Sequence, residues 1–123
     1  MSETLQKYLG NVRISNEVIA TIAGMAAAEV AGVAGMSGGL AGGIVEILRG
    51  KNLSKGVKIE TKDRNITIDL FMIVEYGAII HDVGRKSQIK VKEAVEAMTG
   101  LNANEINIHI QGVNMEKEIK KAQ

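Results

Sequence analysis

The sequence predicts an α+β fold: a two-layer sandwich in β-α-β-β-α-β order, with a mixed sheet carrying its helices on one face. Three observations lead there. Segments in strict two-residue alternation are separated by two segments with helical spacing. Each alternating segment has one apolar and one mostly polar face, so the sheet needs cover on one side only. The chain has 123 residues, and a chain of that size buries roughly two-thirds of its unfolded surface. A single domain over 1–123 is therefore expected, with its core at about 10–113 and flexible or helical tails at both ends.

In chain order, "NVRI" alternates Val12 and Ile14 and predicts a short strand. "SNEVIATIAGMAAAEV" predicts the first helix. Ser15 or Asn16 caps it by accepting from an orphan N–H, and Glu17 suits the positive helix start. Val18, Ile19, Ile22, Ala26 and Val30 form its core stripe. "SKGVKIET" predicts a strand through Val57 and Ile59, with a polar turn at 62–65. "ITIDLFMIVEY" is the most regular strand. Ile66, Ile68, Leu70, Met72 and Val74 share one face, and Thr67, Asp69, Phe71, Ile73 and Glu75 the other. "HDVGRKSQIKVKEAVEAMTG" predicts the second helix, buried through Val83, Ser87, Val91, Ala94, Val95 and Met98. Gly100 closes it in a left-handed conformation, with Leu101 folding back on Val95. "EINIHIQGV" is the last strand: Ile106, Ile108 and Ile110 inward, Asn107, His109 and Gln111 outward. A short amphipathic tail helix is expected through Met115 and Ile119.

The stretch "AGVAGMSGGLAGG", residues 31–43, carries six glycines. It lacks the phosphate-loop pattern: Gly50-Lys51 is followed by Asn52, and Val45 stands where a glycine is required. A membrane hairpin would need about 20 continuous apolar residues and would place Glu29 at the bilayer centre, which is costly. The expectation is a connecting loop, pinned to the domain by a helical turn through Ile44, Ile47 and Leu48.

Composition narrows the function classes. Net charge is +1, so nothing demands nucleic acid or an anionic membrane. Cysteine is absent, which removes disulfides, thiolate metal sites and cysteine nucleophiles and suits a reducing cytoplasm. The first residues have no charged start followed by an apolar run, so no secretory signal is expected. Tyr8, Phe71 and Tyr76 are the only aromatics, and a surface that stacks bases or sugars usually has more. His81 and His109 are far apart, His81-Asp82 suits a capping or surface pair, and no serine sits in a nucleophile elbow. Glu93 and Glu96 match nearby lysines on a solvated face. No catalytic, cofactor-binding or metal-ligating residue is expected, and no small-molecule substrate.

Two surfaces are candidates for interaction. Opposite the core stripe of the first helix lie Ala20, Gly24, Ala27 and Ala28, small residues that admit a close backbone. Either the glycine-rich segment or another subunit covers them. On the solvated sheet face, Phe71 and Ile73 form an apolar anchor with His109 and Asn107 beside them. The tail through Met115 and Ile119 is the competing cover. The second helix also carries Arg85, Lys86, Lys90 and Lys92 around Ile89, a solvated face or a docking stripe for an acidic partner or a membrane surface.

"VEYGAIIHDVGRKSQIKVKEAVEAMTGL", then "EINIHIQGV", closely resembles the alkaline-shock, or general envelope stress response, family of Gram-positive bacteria. "GNVRISNEVIATIAGMAAAEVAGVAGM", the glycine-rich stretch and "SKGVKIE" fit it as well, so the resemblance spans roughly residues 10–113. Members often carry proline after the first helix and at the start of the second, where this chain has Ala31 and Ile80 or His81. The resemblance implies a cytoplasmic, non-enzymatic interaction protein of envelope stress. It would self-associate as a homo-oligomer, and an integral membrane anchoring protein would hold it at the membrane. The alternative is a KH-like RNA-binding module, suggested by the Gly-x-x-Gly steps "GVAG" and "GMSG". That loop should lie between two helices and carry basic residues, and "GMSGGLAGG" has none.

Overall fold

The computed structural model describes residues 9–41 and 44–116. Ser15 caps helix α1 (Asn16–Ala28), its hydroxyl accepting from the Val18 N–H at 3.2 Å. A hairpin follows, β1 (Val33–Ala41) and β2 (Ile44–Leu48), then a 3-10 segment (Gly50–Gly56). Strands β3 (Val57–Lys62) and β4 (Asn65–Glu75), helix α2 (Ile80–Thr99) and β5 (Asn102–Asn114) complete the order.

Strand β4 is the axis of the sheet. On one side it pairs antiparallel with β3 through residues 65–70, then with β1 through residues 72–74. On the other side β5 runs parallel to it from Asn102 to Asn114. The sheet is mixed, as expected. Its core face is Ile66, Ile68, Leu70, Met72 and Val74, all buried beneath the helices. From α1 come Ile19, Ala23 and Ala27, and from α2 Val83, Val91 and Val95. Buried Ser87 donates to the Val83 carbonyl at 2.8 Å, so its hydroxyl is satisfied inside the core. Helix α2 ends at Gly100, whose φ of +73° is open to glycine at no steric cost.

Several local expectations are corrected. Residues 11–15 form no strand: Val12 is 94% exposed, and Ile14 alone packs against the core. The capped helix begins directly after them, and β1 and β3 already occupy that side of β4. The glycine-rich stretch supplies the missing strand pairing instead of a connecting loop, and Ile44–Leu48 is strand instead of a helical turn. Glycine is what permits this. A Cβ on Gly35 would lie 2.5 Å from the Leu48 carbonyl oxygen and 2.7 Å from Ile47 Cγ2, so only a bare backbone lets β2 curl so closely over β1. In the helices, Val18 and Met98 are exposed instead of buried. The tail helix through Ile119 lies outside the described residues.

Candidate functional site

The helices cover one face of the sheet. The opposite face of β4 and β5 gathers polar groups by register: Asp69 stands beside Asn107, Phe71 beside His109. The Asp69 carboxylate accepts from His109 Nε2 at 3.0 Å and from Asn107 Nδ2 at 3.1 Å. Asn107 also donates to Glu105 Oε2 at 3.0 Å. The imidazole lies flat on Phe71, ring centroids 4.6 Å apart and planes within 13°, a stack that restrains both rings.

The hydrogen bond from His109 holds the Asp69 carboxyl below the usual carboxylate range. Partial burial opposes this, and the Asn107 hydrogen bond, the His109 charge and Lys58 on β3 reinforce it. Because an ionised carboxylate only accepts, the pair places a proton on Nε2 of His109. Further along the face, Ser37 of β1 donates to Gln111 Oε1 at 3.1 Å, a bridge passing over β4.

The structure brings Phe71, His109 and Asn107 together as the alternation predicts. Ile73 is different: it is 2% exposed, outside the helix-covered core. It lies between two glycines in register, Gly35 on β1 and Gly112 on β5, with Ile47 curled in over Gly35. Ile73 is thus part of the packing, and the half-exposed apolar group of this face is Phe71.

Ala20, Gly24 and Ala28 lie in the helical layer, on the far side of the sheet. The two candidate surfaces are therefore separate. Leu53 of the 3-10 segment seats on Gly24, where a Cβ would stand 3.1 Å from Leu53 Cβ. Ala20 is buried as well. The cover on Gly24 is thus neither the glycine-rich stretch nor another subunit, but the 3-10 segment that follows the hairpin. Ala28 is half-buried at the rim of an apolar groove of about 580 Å³, beside Leu53 and Met25, the latter 54% exposed.

The Asp69–His109 pair could not be anticipated from sequence. The two residues are 40 positions apart, and only the parallel register of β4 and β5 joins them. His81 and Asp82 are exposed in the first turn of α2, whose N-cap, Ile79, makes no side-chain cap bond. Glu96 pairs with Lys92 at 2.9 Å and accepts from the Ala103 N–H at 3.0 Å. Its carboxyl is lowered chiefly by Lys92. Among the described residues no three His, Asp or Glu side chains converge as a metal site would require.

Two helices on one face of a mixed sheet, and a stacked, hydrogen-bonded panel on the other, define a small α+β domain with one open sheet face. The chain belongs to the ASP23 family, whose model matches residues 4–115 and whose members have a cell envelope-related function. It is 43% identical over 116 residues to the uncharacterized protein YqhY of Bacillus subtilis, covering 94% of this chain and 86% of that one. To the uncharacterized protein YloU of the same organism it is 41% identical, covering 94% and 98%. A stress response regulator gls24 homolog of Streptococcus pyogenes is 23% identical, covering 90% of this chain and 63% of the relative. No solved structure matches the chain. The envelope stress resemblance seen in the sequence is thereby established as family membership. No helix among the described residues is long and apolar enough to cross a membrane.

Proposed function

We propose that the chain is a non-enzymatic interaction protein of the cell-envelope stress response, cytoplasmic, self-associating, and held at the membrane by docking to a membrane-associated partner. The observation that carries this reading is the panel of Phe71, His109, Asp69 and Asn107. Its polar atoms are engaged with one another, so the groups are rigid before any partner arrives. A half-exposed aromatic stack with a satisfied polar rim has the character of an interface anchor. Self-association uses the groove beside Met25 and Ala28, the part of α1 that the 3-10 segment leaves open.

The KH-like alternative is not favoured. Gly35 and Gly38 lie within strand β1, not in a loop between two helices.

The test combines Phe71→Ser with His109→Ala in the full chain. Both residues are partly solvent-accessible, so circular dichroism should stay native. Capture of membrane-fraction proteins from stressed Gram-positive cells should be lost. Retained capture with a native fold refutes this docking face. For self-association, sedimentation velocity over a concentration series should show a mass above the monomer, and a monomer at every concentration rejects it.

A further inference from the structure

Strand β5 forms the outer edge of the sheet, and among the described residues that edge is open beside Ile108 and Ile110. Toward β4, Asn102 N–H donates to Arg64 and the Asn114 carbonyl accepts from Tyr76. Away from β4, the first half of the edge is capped by α2. Ala103 N–H donates to Glu96, its carbonyl accepts from Lys92, and the Ile106 carbonyl accepts from Gln88 at 2.9 Å. Backbone groups alternate sides along a strand. Ile108 and Ile110 therefore also turn their N–H and C=O groups outward, where no partner meets them among the described residues.

Open edges are normally blunted by lysine, proline or covering groups. Strand β3 follows the rule: it carries Lys58, Glu60 and Lys62, and the Asn16 amide reaches the Ile59 carbonyl. Strand β5 does not. It is 13 residues long with one charged residue, Glu105, and neither lysine nor proline.

Beside this edge two shallow cavities separate β5 from α2. The one next to Ile108 and Ile110, about 240 Å³, is floored by Ile80 and Gly84. The one toward Ala103, about 310 Å³, is flanked by Arg85 and by Lys92, whose ammonium is already paired with Glu96, and no carboxylate lines either. Gly84 sits in the second turn of α2, inside the helix, where glycine costs about 1 kcal/mol relative to alanine. A Cβ there would meet only Ile108 Cγ2, at 3.9 Å, so close packing within the chain does not require it.

We propose that the β5 edge binds an extended, acidic segment of another protein as an added strand. Its backbone pairs with Ile108 and Ile110. An apolar side chain enters the trough over Gly84, and an acidic side chain at the next position on the same face meets Arg85. This mode takes affinity from main-chain hydrogen bonds and specificity from alternate side chains. A second copy pairing symmetrically through β5 fits less well, because the one carboxylate of that strand, Glu105, is held by Asn107 on the opposite face of the sheet and gives Arg85 no counter-charge. The inference deepens the docking reading above and rests on it for the existence of a partner.

The test uses blocked heptapeptides and the isotope-labelled full chain. The acidic probe is Asp-Thr-Glu-Thr-Val-Thr-Ile and its control Lys-Thr-Lys-Thr-Val-Thr-Ile, each also in reversed order. The acidic probe, in one order, should bind saturably and slow exchange of the Ile108 and Ile110 amides at least tenfold, with the lysine control binding about tenfold more weakly. Gly84→Leu should abolish binding without lowering the melting temperature. Arg85→Glu should shift preference toward the lysine peptide. The proposal is overturned if neither probe slows those amides. It is equally overturned if they are protected in the free chain and become exposed on removing residues 117–123, which identifies the chain's own tail as occupant. Protection lost on dilution identifies a second copy and overturns it too. No membrane fraction enters this assay, so its failure and failure of capture through Phe71 are separate results.

Discussion

Replacing Ile73 by alanine measures directly whether the outer sheet face is packed or open at this point. Ile73 is 2% exposed and lies outside the helix-covered core. The change removes three buried carbons, about 0.8 kcal/mol each by transfer, and the void left behind adds to that. Buried isoleucine-to-alanine changes cost about 2–5 kcal/mol, depending on how far the site collapses. The lateral neighbours in register are Gly35 and Gly112, which have no side chains to prop the void open. The lower half of that range, about 2–3 kcal/mol, is therefore expected. For a chain of this length that is a fall in Tm of roughly 6–12 °C. Urea and thermal melts followed by circular dichroism give both numbers. Ile73→Val, removing one carbon, should cost only about 0.5–1.5 kcal/mol. Strand preference alone accounts for up to about 1 kcal/mol. A loss below that for Ile73→Ala would mean that Ile73 faces solvent and belongs to a docking anchor.

Two further outcomes follow from the same geometry. The Asp69 carboxyl is lowered in the folded chain, so its contribution is full above the unfolded carboxylate value of about 3.9. It is lost as pH falls through the still lower folded value. Wild type should thus lose more stability than Asp69→Asn as pH drops below about 4, read as the shift in urea midpoint, and parallel curves for the two proteins would refute the pairing. Gly24→Leu drives new carbons into the backbone of Leu53. The overpacking cost of about 1–3 kcal/mol should exceed the helix gain of about 1 kcal/mol and lower the urea midpoint. An unchanged midpoint with a reduced mass in light scattering would instead make Gly24 a contact between subunits.

The parts of the fold legible in the sequence are those where one periodicity runs uninterrupted. Residues 66–74 alternate without a break, and that strand is the axis of the sheet. The Gly100 stop and the Ser15 cap are local chemistry, complete within a few residues, and both stand as expected. The first half misled for the same reason. Met36 and Leu48 are both fully apolar strand residues facing the core, but glycines between them erase the alternation. A glycine has no side chain to declare a face, so a strand built to be overlapped reads as a loop. Likewise the small residues of α1 state that something comes close without saying what. Leu53 answers that, from nearly thirty residues away.

The candidate site shows the same boundary between local and non-local information. Alternation assigns Phe71, Asn107 and His109 to a common face. It cannot say that His109 meets Asp69 and lies on Phe71, because that depends on the register between two strands joined by a whole helix. Register also separates the two surfaces of the molecule by kind. On the open face the polar groups are paired among themselves, so a partner gains mainly from contact with rings already held in place. Along the β5 edge, at Ile108 and Ile110, backbone donors and acceptors face outward without partners among the described residues, so there the proposed partner would supply the hydrogen bonds itself. The first surface suits a preformed complementary face and the second an extended segment. One partner could engage both, since His109 and Ile108 are neighbours on the same strand, facing opposite sides of the sheet.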